Sequence, residues 1–274
     1  MHWLGGMGIV ALTVALFPLL GVGGFRLIKS ETTGPNKGKV TAKITETAKI
    51  LWFIYLGLTV LQMLLLMIAG MGFFDALCHS FATLGTGGFS TKGKSLAFFN
   101  SWQIDLICSI FMMLAGINFS LYFLLFTGHI KDILMNSEFK AYIKIILVAT
   151  IAIAISIMGQ YGFFNAFRHS FFQVTSIITT TGFASADYDT WSAFPKMVIL
   201  TLMFIGGCSG STAGGIKVIR WLILKKQAKN EMSRLLFPHG IFSIQLDGRP
   251  GRKDVVYSIA GFIYCYFLLT LITA

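Results

Sequence analysis

The sequence is poor in charged residues, and acidic ones are the scarcest. Asp, Glu, Lys and Arg together make up 12% of its 274 residues, whereas a typical soluble domain is about a quarter charged. Hydrophobic residues make up 55% of the chain, and so few charges cannot give such a composition a water-soluble surface. A soluble globular protein is therefore excluded, and a chain embedded in a lipid bilayer is indicated.

Patterns for metal and nucleic-acid chemistry are also missing. No CxxC or Cys/His cluster occurs, and the basic residues form no face with interleaved aromatics. We therefore expect no cofactor and no nucleic-acid partner. We interpret the four cysteines as buried apolar side chains because each lies in or beside an apolar stretch: Cys78, Cys108, Cys208 and Cys265.

Long apolar segments are what the sequence does contain. A helix that crosses a bilayer needs about 20 apolar residues, and six segments qualify: Leu4 to Leu27, Ile50 to Ala69, Trp102 to Phe126, Tyr142 to Met158, Phe194 to Leu224 (interrupted by Gly and Ser), and Val255 to Ala274. Two shorter ones, Phe73 to Leu84 and Phe163 to Ile178, run into small and hydroxyl residues and not into a charged flank, which is typical of re-entrant helices. We predict an all-α polytopic membrane protein with two re-entrant loops.

The basic residues predict the orientation of these segments. Of the 22 Lys and Arg residues, 18 fall in three blocks, Arg26 to Lys49, His129 to Lys144 and Lys217 to Lys253. By the positive-inside rule these blocks are cytoplasmic. Both short segments then enter from the outside and return there. If they crossed the membrane fully, the later blocks would change sides and the asymmetry would be lost.

An internal repeat relates the two short segments. Residues 73–81 (FFDALCHSF) and 163–171 (FFNAFRHSF) are identical at six of nine positions. Each copy reaches a Gly-Phe, at Gly88-Phe89 and Gly182-Phe183, and the second copy takes four more residues to do so. A Trp and a long apolar helix follow in both. We predict two units of helix, short helix, loop and helix, an arrangement that membrane transporters build around a central site.

The two loops have the composition of a cation filter. Potassium needs oxygen ligands in place of its hydration shell, and backbone carbonyls supply them without net charge. Gly permits the unusual backbone angles, and Thr adds a hydroxyl oxygen. The alternative is that these small residues only allow close helix packing. We predict a potassium site formed by Thr86, Gly87, Gly88, Thr180, Thr181 and Gly182.

Seven stretches spread over nearly the whole chain match one family of membrane proteins: residues 2–8 (HWLGGMG), 20–24 (LGVGG), 46–49 (ETAK), 79–81 (HSF), 87–91 (GGFST), 179–183 (TTTGF) and 206–220 (GGCSGSTAGGIKVIR). Through them the chain resembles the TrkH branch of the Trk/Ktr/HKT potassium transporters. The resemblance implies multi-pass potassium uptake in a bacterial inner membrane. It also implies a homodimer that rests on a cytosolic nucleotide-binding regulatory subunit of the TrkA type. Channel and proton- or sodium-coupled symport both stay open.

The family has four repeats of helix, pore helix and helix around one pore. The resemblance implies that residues 1–28 are the second helix of repeat one, 45–127 repeat two and 138–228 repeat three. Residues 229–274 would be a cytoplasmic linker and the first helix of repeat four. The filter loops of repeats one and four are absent from this chain, so we expect both ends to continue in a longer protein.

Gly and Ser interrupt the fifth apolar segment over residues 206–215. Unpaired backbone is tolerated at membrane depth only where it is buried or lines a cavity. This stretch resembles the family's intramembrane gating loop, and the alternative is a packed helix kink. The resemblance implies a gate formed by Gly206, Gly207, Ser209, Gly210, Ser211, Gly214 and Gly215.

An enzyme is the competing class. Gly207-Cys208-Ser209-Gly210 resembles the nucleophile loop of rhomboid intramembrane proteases, whose chemistry needs a His within hydrogen-bond reach of the serine. None of the five histidines lies in a full span after Ser209, so we predict a transporter and not an enzyme. We interpret His79 and His169 as packing residues. Asp105 needs a partner near the membrane, and we expect Lys92 or Lys94 to provide it.

Overall fold

The computed structural model describes residues 2–8, 44–237, 245–246, 249–250 and 253–273. The predicted first span, Leu4 to Leu27, therefore lies mostly outside the described residues. Its described part, Leu4–Gly8, forms a single π-helical turn.

Helices make up most of the described residues. In chain order they are α1 (Ile44–Ile68), α2 (Phe73–Leu84), α3 (Trp102–Ala115), α4 (Phe119–Phe126), α5 (Ile130–Met135), α6 (Ser137–Ile178), α7 (Ala193–Ile205), α8 (Val218–Leu236) and α9 (Lys253–Thr273). Two 3₁₀ turns, Ser95–Phe98 and Tyr188–Thr190, and an antiparallel pair of two-residue strands, β1 (Gln245–Leu246) and β2 (Arg249–Pro250), complete the set. The predicted helical fold class is confirmed, with this small hairpin as an addition.

Three of the described helices are long and apolar enough to cross a bilayer, over Lys49–Ile68, Ser137–Ile178 and Val256–Thr273. Their faces divide as expected for a bundle in lipid. In α1, Tyr55, Thr59 and Gln62 are buried while Phe53 is 64% exposed. Polar groups at membrane depth need protein partners, so the polar stripe of α1 faces its neighbours and the large apolar side chains face outward.

The third predicted span, Trp102 to Phe126, is not straight. Helices α3 and α4 meet at an angle of 94°, so the prediction of one continuous helix is wrong there. A Cβ on Gly116 would lie 2.2 Å from the Tyr142 hydroxyl. Asn118 then caps α4, because its Oδ1 accepts a hydrogen bond of 2.9 Å from the Ser120 amide. Close packing at Gly116 and the new N-cap at Asn118 together account for the bend between α3 and α4.

The two short helices lie where the sequence predicts them. Helix α2 covers Phe73–Leu84, as predicted. The second is the C-terminal part of α6, which is broken at Gly162 with φ 72° and ψ 168°. Gly adopts this pair of angles readily because it has no Cβ, whereas other residues would be strained in it. Phe163 to Ile178 is therefore a separate segment, one turn longer than α2, and the four additional residues of the second repeat lie within its helix.

The segments that follow the two loops are joined to each other. The Ala97 amide donates to the Ala184 carbonyl at 3.1 Å, and the Ala184 amide donates to Ser95 Oγ at 3.3 Å. Phe183 packs in the same core cluster as Leu96 and Met112. The two repeats are therefore packed together around their loops.

Candidate functional site

The two short helices end in the same hydrogen-bonded turn. The Ala82 carbonyl accepts from the amides of Gly87 at 2.7 Å and Gly88 at 3.4 Å. In the second copy the Ser176 carbonyl accepts from the amides of Thr181 at 2.9 Å and Gly182 at 3.2 Å. Each group lies 94 residues after its counterpart, so the two loops are equivalent residue by residue.

The backbone angles repeat as well. Thr86 and Thr180 have positive φ angles of 49° and 57°, and Gly88 and Gly182 follow with 66° and 86°. A left-handed conformation is unusual for a β-branched residue. Strained backbone of this kind persists only where the surrounding structure holds it, and it concentrates at functional sites. Its occurrence at both equivalent threonines marks the loops as more than packing elements.

The two loops touch through their backbones. A Cβ on Gly88 would lie 1.9 Å from the Thr181 carbonyl oxygen, whereas a Cβ on Gly182 would meet nothing within 4 Å. Thr181 is buried, while Thr180 and Gly182 on either side of it are exposed. The six predicted filter residues are thus brought together in two adjoining loops, and the second loop borders open space.

Side chains from the short helices hold the loops in place. His79 Nε2 lies 2.9 Å from Ser90 Oγ, and its Nδ1 lies 2.7 Å from the Asp75 carbonyl. His169 Nδ1 lies 3.4 Å from Ser185 Oγ. Both histidines therefore bridge a short helix to the segment after its loop, which supports their interpretation as structural residues.

Asp105 has a different partner from the expected one. Its Oδ2 accepts from Arg168 Nε at 2.8 Å, and the carboxylate is 2% exposed. Lys92 pairs with Asp75 at 3.2 Å instead, so the expectation for Lys92 or Lys94 is wrong. Arg168 is 63 residues away in sequence, on the short helix of the other repeat. The pair ties α3 to that helix.

The interrupting segment is a closed loop between α7 and α8. Helix α7 ends at Ile205 and α8 begins at Val218, so the non-helical stretch extends two residues beyond the predicted end at Gly215. The Val218 amide donates to the Gly207 carbonyl at 3.0 Å. A Cβ on Gly206 would lie 3.0 Å from Gly215 Cα. The two ends of the loop therefore meet at a narrow base.

The tip of this loop reaches both filter loops. Thr86 Oγ1 donates to the Thr212 carbonyl at 2.9 Å, and the Gly214 amide donates to Thr180 Oγ1 at 2.7 Å. The structure thus joins the predicted gate to the predicted filter at the two left-handed threonines. Thr212 was missing from the predicted gate, although its place between Ser211 and Gly214 in a run of small residues signals it.

Glu138 is a further residue that sequence reasoning missed. Its carboxylate accepts from the Ser209 amide at 2.6 Å and from Ser209 Oγ at 2.7 Å. A lone acidic residue beside an apolar span was the available signal, because such a group must find a partner. The contact also bears on the protease alternative, since the Ser209 hydroxyl donates to a carboxylate and not to a histidine.

The comparisons with known proteins agree over the whole chain. The family described as "TrkH: Cation transport protein" matches residues 1–148 and 139–274. The Trk system potassium uptake protein TrkH of Halomonas elongata is 41% identical over 98% of this chain and 57% of its own length. Its Escherichia coli K12 namesake is 40% identical over 100% of this chain and 58% of its own length.

A solved structure agrees with them. The crystal structure of the potassium transporter TrkH from Vibrio parahaemolyticus matches with a TM-score of 0.83 and 37% identity, over 99% of this chain and 56% of that one. The chain therefore spans a little over half the length of the relatives it matches.

Proposed function

The chain belongs to the TrkH family of cation transport proteins, and from that premise we propose that it forms part of a potassium uptake pore in a bacterial inner membrane. The observation that carries the proposal is the pair of equivalent Thr/Gly loops, which share left-handed angles and meet through their backbones. The relatives named potassium uptake proteins support potassium as the ion.

Thr86, Gly87 and Gly88 with Thr180, Thr181 and Gly182 supply the oxygens that replace the ion's hydration shell. Each loop follows the C-terminal end of a short helix, which carries partial negative charge and favours a cation. The exposed Thr180 and Gly182 line the ion path. In this proposal repeat two (45–127) and repeat three (138–228) form two of the pore's four walls.

The loop from Gly206 to Gly215 acts as the gate below the filter. Its glycines allow the backbone to change conformation. Its tip is held to the filter by hydrogen bonds between neutral groups, at Thr86 and Thr180. Such bonds contribute only about 1 kcal/mol each, so they can exchange when the pore opens.

The assembly we propose is a homodimer with a cytosolic nucleotide-binding regulatory subunit of the TrkA type. The family resemblance supports it, and the "Trk system" name of the relatives fits a protein that works with other components. Helix α8 runs to Leu236, beyond the boundary predicted at residue 228, and carries Lys225, Lys226 and Lys229. This basic stretch would face the partner or the lipid headgroups.

Potassium uptake by a deficient strain that carries the full-length gene tests the function. Gly182→Asp should abolish growth at low potassium, because it places a carboxylate at a left-handed position in the filter loop. Gly93→Asp is the control, since Gly93 is exposed and a Cβ there meets nothing within 4 Å. Unchanged uptake in the Gly182→Asp strain would show that the filter assignment is wrong.

Deletion of Gly210–Gly214 tests the gate. It removes the tip that bonds to the filter threonines, so potassium flux through the reconstituted protein should rise. An unchanged or lower flux at the same amount of folded protein would favour a packed helix kink. No observation favours the serine protease alternative.

A further inference from the structure

Glu138 is a buried carboxylate that the proposed ion path does not use. It is 5% exposed and lies in the first turn of α6. The helix begins at Ser137, and its N-cap Asn136 accepts a hydrogen bond from the Phe139 amide on Oδ1 at 2.8 Å. Glu138 is therefore fixed by its helix and is not a side chain on a flexible loop.

The carboxylate holds the first half of the gating loop. Oε1 accepts from the Ser209 amide at 2.6 Å and Oε2 accepts from Ser209 Oγ at 2.7 Å. The exit of the loop is held to its entry, because the Val218 amide donates to the Gly207 carbonyl at 3.0 Å. Ser209 and Val218 flank the segment that carries Thr212 and Gly214.

The base and the tip of the loop are held by different kinds of bond. Beside the neutral backbone bond between Val218 and Gly207, the base has the two bonds from Ser209 to a carboxylate, and charge-assisted hydrogen bonds are roughly twice as strong as neutral ones. The tip bonds at Thr86 and Thr180 join neutral groups. Separating a buried carboxylate from its donors also leaves it with too few hydrogen bonds in a poorly solvated place, which is costly. The base is therefore expected to stay intact while the tip exchanges partners.

We propose that Glu138 is a positioning residue that anchors the base of the gating loop to α6 through Ser209, so that only the tip that carries Thr212 and Gly214 moves on opening. This inference rests on the proposed gate. It identifies Glu138 as the residue that keeps the base of the gating loop in place while the tip moves. It also predicts that a loosened base lets the tip leave the filter without any stimulus.

Glu138→Gln tests the anchor in the intact protein that contains this chain, purified and reconstituted in liposomes without a cytosolic partner. The amide keeps the shape but offers one acceptor oxygen in place of two. Potassium flux under these resting conditions should rise about tenfold, as expected for the loss of one charge-assisted bond. The ratio of potassium to sodium flux should stay unchanged because the filter residues are intact.

Two further variants make the result specific. Ser209→Ala removes the hydroxyl donor and keeps the amide donor, so it should raise resting flux by about twofold to fivefold, less than Glu138→Gln. Glu231→Gln is the matched control, because Glu231 is an exposed glutamate on α8 that bonds only to its helix neighbours Gln227 and Arg234 in the contacts resolved for it. It should leave resting flux unchanged.

The outcomes separate the anchor from the proposed function. If the wild-type protein does not restore potassium uptake in cells, the proposed function fails and the anchor with it. If it does, and Glu138→Gln and Ser209→Ala leave resting flux per folded molecule unchanged, the anchor is refuted while the function stands. A loss of folded protein with unchanged flux per molecule gives the same refutation, because it reveals only a structural role. If Glu138→Gln does not fold, Ser209→Ala decides alone.

Discussion

At the scale of single residues, the two equivalent filter glycines are not interchangeable. Gly88 and Gly182 both have positive φ, so Ala at either costs roughly 1–2 kcal/mol of backbone strain. Only at Gly88 would the new Cβ also overlap the Thr181 carbonyl, at 1.9 Å. That oxygen belongs to the opposite filter loop and cannot move without changing the proposed ion site.

Gly88→Ala should therefore reduce potassium uptake and potassium-over-sodium selectivity much more than Gly182→Ala does. Uptake rates and selectivity ratios, normalised to folded protein, provide the measurement. Gly93→Ala is the control and should behave as wild type, because a Cβ there meets nothing within 4 Å. Equal losses at Gly88 and Gly182 would contradict the proposed backbone contact between the loops.

The ion pair between Asp105 and Arg168 should be important for stability. With Asp105 2% exposed and Arg168 16% exposed, removal of one partner leaves a buried charge and costs about 3–5 kcal/mol. Asp105→Asn and Arg168→Gln should each lower the thermal unfolding temperature in detergent, and the double variant should lose less than the sum. Strict additivity in this cycle would show that the two side chains do not interact. Lys94→Gln is the control, because Lys94 is exposed.

The sequence predicts individual residues only where a local pattern marks them. The Thr/Gly loops can be predicted because a short helix, a turn and an internal repeat all indicate them. The roles of Glu138 and Thr212 cannot be predicted in this way, since their hydrogen-bond partners are 71 and 126 residues away in sequence. A helical period identifies which face of α6 is buried, but it does not say which loop lies against that face.

At the scale of elements, the bend between α3 and α4 shows the same limit. The run from Trp102 to Phe126 is apolar throughout, and an isolated Gly is tolerated inside a helix. What decides the geometry is the space around Gly116. A Cβ there would lie 2.2 Å from the Tyr142 hydroxyl and 2.9 Å from Thr179 Cγ2, and the sequence does not reveal these neighbours.

Gly116→Ala should destabilise the protein by about 1–3 kcal/mol, the usual cost of overpacking a filled interior. Thermal unfolding in detergent measures the change. Gly57→Ala in α1 is the matched control, because a Cβ there meets nothing within 4 Å. It should be neutral or stabilise the helix by up to about 1 kcal/mol. A neutral Gly116→Ala would mean that α3 and α6 do not pack as closely as the structure shows.

At the scale of the whole molecule, the two repeats are alike at the filter and different around it. Their loops form the same backbone hydrogen bonds, but the second short helix carries one additional turn, about 6 Å of rise. The motif shared by residues 73–81 and 163–171 is therefore displaced along its helix relative to the filter. Arg168 lies in this displaced motif and pairs with Asp105 of the other repeat, so the two repeats meet in an asymmetric contact.

The predicted membrane orientation rests on the charge distribution and the two re-entrant helices, and the bend between α3 and α4 is hard to reconcile with it. Helix α3 has 14 residues before the bend, a rise of about 21 Å against a hydrocarbon core of about 30 Å. The prediction requires the chain to reach the cytoplasm by α5, where the second basic block lies. The residues on either side of α3 and α4 therefore provide the sharpest test, because the prediction places them on opposite sides of the membrane.

Single cysteines at exposed lysines and an impermeant thiol reagent on intact cells test it. Lys94→Cys and Lys196→Cys should be labelled from outside, whereas Lys131→Cys and Lys229→Cys should be labelled only after permeabilisation. The exposed Cys265 and the partly buried Cys78 are first replaced by Ser, and that background is the control. If Phe163 to Ile178 crossed the membrane, Lys196 would lie opposite Lys94. If α3 and α4 turned back to the outside, Lys131 would be labelled together with Lys94. Either result would overturn the orientation, because the proposed pore requires both filter loops to open to the same side.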